Sequence, residues 1–255
     1  MLQIAGRELH FEGRAIVVAA LLAVMPTGLF AADPEPTGDG VRTVYLIRHG
    51  DYDHEDERDP DIGKALVPLG VAQARLVGAR LRGLPVEMTS LHSSTMTRAW
   101  ETALVIGEEF PDLELETSRL LRECTPATWR EEIMADEDPA DVKACTKQLE
   151  QAYPIYFAPS PEADMHDIIV CHGNVIRYFV TKVLGVDTEA WLGMSIGNCS
   201  LTVVTIKPDG SMKLLSFSDV GHIPPNLSTR TAPGQPKDLT VPRVVADPEP
   251  DAIRR

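Results

Sequence analysis

Two short, largely apolar runs, TVYLI at 43–47 and DIIVC at 167–171, each give way to a histidine and a glycine. Arg48-His49-Gly50 follows the first and His172-Gly173-Asn174 the second. Apolar runs of this length without polar alternation suit strands buried on both faces, the condition of a parallel sheet packed between helices. In such sheets ligands gather beyond the carboxyl ends of the strands, where a helix begins and glycine lets backbone come close. Two strand ends of this kind predict one pocket with His49 and His172 facing each other.

The segments between them alternate as that sheet requires. Leu69, Ala72, Leu76 and Ala79 recur at helical spacing from Pro68 to Arg82, and Gly83 and Pro85 end the pattern. MTSLH (88–92) reads as a second strand, with Thr95 as the N-cap of a helix running to about Phe110. A helix over 139–152, an apolar helix over 175–184, and a closing pair LTVVTI (201–206) and MKLLSF (212–217) across the turn at 208–210 complete the order. Strands alternating with helices predict a three-layer α/β/α domain around a mostly parallel sheet with one antiparallel edge.

Two further segments bring charge. In SSTMTRAWET, Arg98 lies in the first turn of its helix, where a guanidinium forks onto phosphate oxygens and the helix N-terminus adds its positive end. In LLRECTP, Glu123 sits in a loop after the strand-like ETSRLL. Two arginines, two histidines and one carboxylate suit phosphoryl transfer without a metal or other cofactor. His49 would attack phosphorus through a neutral imidazole nitrogen, which Arg48 and Arg98 help to keep unprotonated. Arg48, Arg98 and His172 would hold the equatorial oxygens, with Gly173 and Asn174 at the same lip, and Asn174 either touching the ligand or capping the next helix. Glu123 would protonate the leaving oxygen and later deprotonate water, provided its pocket raises its pKa. Ser93 and Ser94 have no G-x-S-x-G elbow around them and read as capping or pocket-lining residues. His92 is placed in a second layer behind the site, and His222 reads as an ordinary loop histidine.

A formal charge of −14 excludes a general nucleic-acid binder, since phosphate backbones need clustered Lys and Arg. Seven carboxylates stand between Asp51 and Asp61. They lack the EF-hand pattern and read as a solvated loop over the pocket rim. Cys124, Cys145, Cys171 and Cys199 are irregularly spaced with no C-x-x-C pair, which argues against a metal site. An oxidising compartment would allow one disulfide, but Cys171 and Cys199 lie in apolar surroundings typical of buried free thiols, and no bridge is assigned.

At the N-terminus, Arg7 and Arg14 precede an apolar run over 15–25, followed by Pro26, Gly28 and small residues ending in LFAAD. That layout matches a secretory signal peptide cleaved after Ala31 or Ala32, and predicts an exported protein, periplasmic or secreted. Left uncleaved, the segment would tether the chain to a membrane, although the run is shorter than the roughly 20 residues of a comfortable span. The expected division is a leader or anchor at 1–32, a linker at 33–41, the domain at 42–225, and a Pro-rich, extended tail at 226–255.

Taken in order, LIRHG, HSSTMTRAWET, LLREC and VCHGNVIRYF resemble the motifs of the histidine phosphatase superfamily, whose fold is phosphoglycerate-mutase-like, over about 42–225. RHGDY, LVPLG, CHGNVIRYFV, the AWL at 190–192 and DVGHIPP are similar to its mitochondrial Ser/Thr protein phosphatase branch. The resemblance implies a phosphohistidine-forming phosphatase acting on proteins that carry phosphoserine or phosphothreonine. A small phosphomonoester is the alternative substrate, and a phospho-ligand binding module without turnover the alternative class. ECTPATWRE is shorter than the glycolytic mutases' Glu-containing motif, and Gly173 stands where the acid phosphatase and phytase branch carries Asp, so both activities are disfavoured. The multimerising motif that precedes the domain in the mitochondrial branch has no counterpart here.

Overall fold

The computed structural model describes residues 39–229; the leader, most of the linker and the tail beyond Thr229 lie outside that range. Six strands form one sheet in the order β3-β2-β4-β1-β5-β6. They are β1 (Arg42–Arg48), β2 (Ser90–Ser94), β3 (Leu115–Ser118), β4 (Met165–Cys171), β5 (Leu201–Ile206) and β6 (Met212–Asp219). The helices are α1 (Pro68–Arg82), α2 (Thr97–Gly107), α3 (Glu131–Met134), α4 (Pro139–Tyr156) and α5 (Gly173–Leu184).

The central strands feed both faces, as their unbroken apolar sequences require. In β1, Val44 and Leu46 join the core under α4 and α5, with Leu149, Val175 and Phe179. Tyr45 and Ile47 point the other way, into the core under α1 and α2, with Val77, Ala103 and Ile106. Period-two alternation thus divides one strand between two cores, and the three-layer α/β/α expectation holds. β1 and β4 are parallel with Arg48 opposite Cys171, so the two His-Gly turns leave the sheet at the same level.

The antiparallel member is β5, and it is not the edge. It pairs antiparallel with β1 on one side and β6 on the other. The cause lies in the chain path. After α5 the chain climbs back to the carboxyl ends of the parallel strands, where the Cys199 N–H donates to the Arg48 carbonyl at 2.9 Å. A strand starting there can only run down the sheet.

Local departures have local reasons. The cap of α2 is Met96 rather than Thr95, and the Thr95 hydroxyl turns to Asp61 at 3.3 Å. ETSRLL divides into β3 and a 3-10 turn over Arg119–Leu121, because the Ser118 hydroxyl accepts the Leu120 N–H and ends the extended run. The chain also stays packed past 225: Leu227 is buried, and its carbonyl accepts from Gln73 Nε2 at 2.8 Å.

Candidate active site

His49 is set by the elements around its backbone. Its N–H donates to the Cys171 carbonyl at 3.0 Å, and its own carbonyl accepts from Asn198 Nδ2 at 3.1 Å. The next N–H, of Gly50, donates to Thr102 Oγ1 on α2, and that of Asp51 to Gln73 Oε1 on α1. A Cβ on Gly50 would come within 2.6 Å of the Gly70 carbonyl, so the turn and α1 approach at a distance only glycine permits. His49 Nδ1 lies 2.8 Å from the Gly50 carbonyl, an acceptor only, which puts the proton on Nδ1. Arg98 Nε donates to His49 Nε2 at 3.2 Å, independently requiring a lone pair there. Two contacts therefore agree that Nε2 is the unprotonated nitrogen that carries the lone pair.

His172 faces it with ring centroids 5.1 Å apart. Ser94 Oγ accepts the Met96 N–H and stands 2.8 Å from His172 Nε2, where its proton is available to that nitrogen. With the Ser94 proton turned to Nε2, the His172 proton sits on Nδ1, which is buried with no hydrogen-bond partner among the described residues. Arg48 Nε shares that condition, while Arg48 Nη1 donates to the Ile196 carbonyl at 2.8 Å. Gly173 lies against the same guanidinium: a Cβ there would meet Arg48 Nε at an ordinary contact distance of 3.6 Å and press on the Ile196 side chain at 3.2 Å. Unpartnered buried donors are costly unless a ligand supplies an acceptor. Arg48, Arg98 and His172 thus present donors suited to an anion with several oxygens.

Glu123 completes the group with Oε2 3.9 Å from His172 Nδ1, its side chain 26% exposed. Oε1 accepts the Asn174 N–H in the first turn of α5 at 3.1 Å. The Asn174 side chain holds the Glu123 loop rather than the helix end: Nδ2 donates to the Cys124 carbonyl at 3.0 Å and Oδ1 accepts from Arg177.

Burial, followed by the charges of Arg48 and Arg98, holds the His49 pKa well below the ordinary imidazole value. Burial, then His49, Arg98 and Arg48, does the same to His172. Glu123 is raised, chiefly by burial, against the opposing pull of Arg98 and the Asn174 N–H. At neutral pH His49 is unprotonated, as Arg48 and Arg98 led the sequence to suggest, with burial the larger cause.

Donor atoms of His49, Glu123 and His172 lie within 4.8 Å of one another, a spacing a cation could use. Arg48 and Arg98 bring two positive charges into the same space, which favours an anion over a metal ion.

The buried histidines make stability pH-dependent with a definite sign. Their folded pKa values are depressed, so the unfolded chain binds more protons as pH falls below about 6.5, and stability drops by up to ~1.4 kcal/mol per pH unit for each imidazole. Glu123 acts oppositely, its raised pKa removing stability as pH climbs from its ordinary value through its folded one. Two imidazoles outweigh one carboxyl, so the urea midpoint is expected to be lower at pH 5.5 than at pH 7.5. A higher midpoint at pH 5.5 would mean that the rings are charged in the folded protein.

The structure brings together Arg48, His49, Arg98, Glu123, His172, Gly173 and Asn174, all foreseen from the sequence, and adds others. Tyr52, inside the acidic run, meets the His49 ring edge-on at 5.2 Å, and Arg98 lies over its ring at 4.9 Å. Asn198 and Arg177 have no sequence signal beyond their place in polar turns and in VCHGNVIRYF. The run Asp51–Asp61 is less solvated than expected. Asp61 binds Arg122 and Arg119, and Asp56 binds Arg58 and the Lys64 N–H, leaving Asp53, Glu55, Glu57 and Asp59 exposed. His92 touches Tyr156 and Glu116 rather than the site. His222 Nε2 bonds the Cys199 carbonyl, and Nδ1 lies 3.0 Å from Arg80. The cysteine reading needs correction: Cys124 and Cys145 form a disulfide with Cα atoms 5.6 Å apart, while Cys171 and Cys199 are free and buried as expected. Irregular spacing along the chain conveys nothing about a loop and a helix that meet only on folding.

A family model described as "Histidine phosphatase superfamily (branch 1)" matches residues 44–163 and 157–219. "Serine/threonine-protein phosphatase Pgam5, mitochondrial" of Caenorhabditis elegans is 41% identical over 207 residues, covering 75% of this chain and 68% of that protein. The human protein of the same printed name is 35% identical over 199 residues, covering 74% and 66%. The chain thus spans about two thirds of the length of these curated relatives. Among solved structures, a phosphoglycerate mutase from Plasmodium falciparum aligns with TM-score 0.52 and 28% identity over 73% of this chain and 96% of that one. A phosphoglycerate mutase from Bacillus anthracis aligns with TM-score 0.56 and 21% identity, a likeness of fold alone, over 73% and 96%. The chain belongs to the histidine phosphatase superfamily. It is a phosphoric monoester hydrolase whose family chemistry runs through a phosphohistidine.

The same comparisons overturn the export reading. The relatives are named as mitochondrial proteins and nothing supports a signal peptide or a periplasmic or secreted location, whereas a membrane anchor is compatible with them. Basic residues ahead of an apolar run occur in leaders with several addresses, so that pattern could not tell them apart. Among the described residues no helix is long and apolar enough to cross a membrane.

Proposed function

We propose that this chain dephosphorylates phosphoserine and phosphothreonine in proteins, with His49 as nucleophile, Glu123 as acid and then base, and Arg48, Arg98 and His172 holding the phosphoryl oxygens. His49 Nε2 attacks phosphorus in line as the ester oxygen departs and takes the proton of Glu123. Arg48, Arg98 and His172 Nδ1 bind the equatorial oxygens through the transfer. Water, deprotonated by Glu123, then displaces His49 from phosphorus and inorganic phosphate leaves. Gly173 opens α5 at the lip of the site, and Asn174 holds the acid.

The observation that carries the chemistry is the lone pair of His49 Nε2, buried beside Arg98 and opposite His172. Support for a protein substrate comes from the printed names of relatives at 35–41% identity.

The test is a competition, run in EDTA, between phosphoserine peptides and sugar phosphates. Peptides are expected to show a kcat/KM at least about ten-fold higher, a difference of ~1.4 kcal/mol in transition-state binding. Preference for sugar phosphates would make the chain a small-molecule phosphomonoesterase. Binding of either without turnover would leave a recognition module, and loss of all activity in chelator would sink the metal-free mechanism.

A further inference from the structure

The carboxylate of Glu123 has one hydrogen-bond donor among the described residues, the Asn174 N–H, so its position depends on the loop that carries it. That loop is gripped from the other side by α4. Gln148 Nε2 donates to the Arg122 carbonyl at 2.9 Å and reaches the Leu120 carbonyl at 3.3 Å. Cys145, three residues earlier on the same helix face, is buried and bridged to Cys124, the residue after the acid. The two ties bracket Glu123, one on the residue before it and one on the residue after.

We propose that Cys145, through its disulfide to Cys124, and Gln148 are positioning residues for the acid, so that the leaving-group step depends on the state of the bridge. This rests on the proposed role of Glu123. Opening the bridge is a balanced two-electron exchange with a dithiol. One thiolate of the reagent attacks the Cys124 sulfur, Cys145 leaves and takes up a proton, and the second thiol closes on the first to release Cys124 as a thiol. The Gln148 and Asn174 contacts survive that exchange, so the loop stays in place with a wider range of carboxyl positions. Poor leaving groups need a well-placed proton and activated aryl oxygens do not.

The experiment measures kcat/KM on a phosphoserine peptide and on p-nitrophenyl phosphate for the oxidised wild type, the wild type in dithiothreitol, Cys145→Ser, Gln148→Met and Glu123→Gln. Reduction and Cys145→Ser are expected to lower peptide turnover about ten-fold and aryl turnover less than about two-fold, in line with the cost of small misplacements of a catalytic group. Gln148→Met should move the ratio in the same direction. Reoxidation should restore the wild type, and dithiothreitol should leave Cys145→Ser unchanged. The aryl substrate reports folding, because a damaged protein loses both activities together. Equal losses on both substrates, no loss, or a thiol titration that finds no bridge in the oxidised protein would overturn the inference. If Glu123→Gln discriminates between the substrates while reduction and Cys145→Ser do not, the inference alone fails. If Glu123→Gln does not discriminate, the acid role fails and the inference with it.

Discussion

A His49→Asn variant will lose at least about 10³-fold in kcat on peptide and aryl phosphates alike, and acid-labile phosphate will be absent from enzyme quenched during turnover. The substitution is small, and an amide can still donate to the Gly50 carbonyl, so the turn should survive. What vanishes is the lone pair that Arg98 marks on Nε2. No neighbour can replace it. The Ser94 hydroxyl is engaged with His172 and the Met96 N–H, and burial pushes the Cys171 and Cys199 thiols far above neutrality. A variant that still accumulates phosphoenzyme would move the nucleophile to His172, whose ring is the next nearest imidazole.

Replacing Arg98 with Ala will cost roughly 10²- to 10³-fold in kcat/KM, the usual scale for removing one preorganised charge stabiliser from a transition state. It will also leave a mark on the pH profile that a packing defect would not. The Arg98 charge helps to hold His49 below its ordinary pKa, so its loss lets that pKa rise, and the acid limb of kcat/KM moves to higher pH. Arg98→Lys should restore little activity, since an ammonium lacks the planar fork that reaches His49 and an anion together. An Arg98→Ala enzyme with an unmoved acid limb would show that Arg98 only binds substrate.

Much of this site was legible because strand ends impose convergence. TVYLI and DIIVC announced buried parallel strands, and the residues after them had to meet if the strands were neighbours, as the pairing of Arg48 with Cys171 shows. Arg98 and Glu123 were legible as charges at a helix start and in a loop. The rest lies in contacts without periodicity. Ser94 orients His172 across 78 residues, and no spacing rule reports that. The Cys124–Cys145 bridge depends on α4 packing over a loop, which only the finished core determines. Tyr52 was hidden by its setting, because a carboxylate-rich run reads as solvent-facing even where one ring turns inward. The N-terminal segment misled for a different reason: targeting is read by receptors, and similar compositions serve different destinations.

The hydrogen bond from Asn198 to the His49 carbonyl joins residues 149 positions apart. A chain emerging from the ribosome presents His49 early, yet the turn holding that histidine is closed by a residue made some 150 steps later. At roughly 5–20 residues per second, that interval is about 8 to 30 seconds. The enzyme is therefore timed by its own topology, with reactive chemistry withheld until nearly the whole domain has been synthesised.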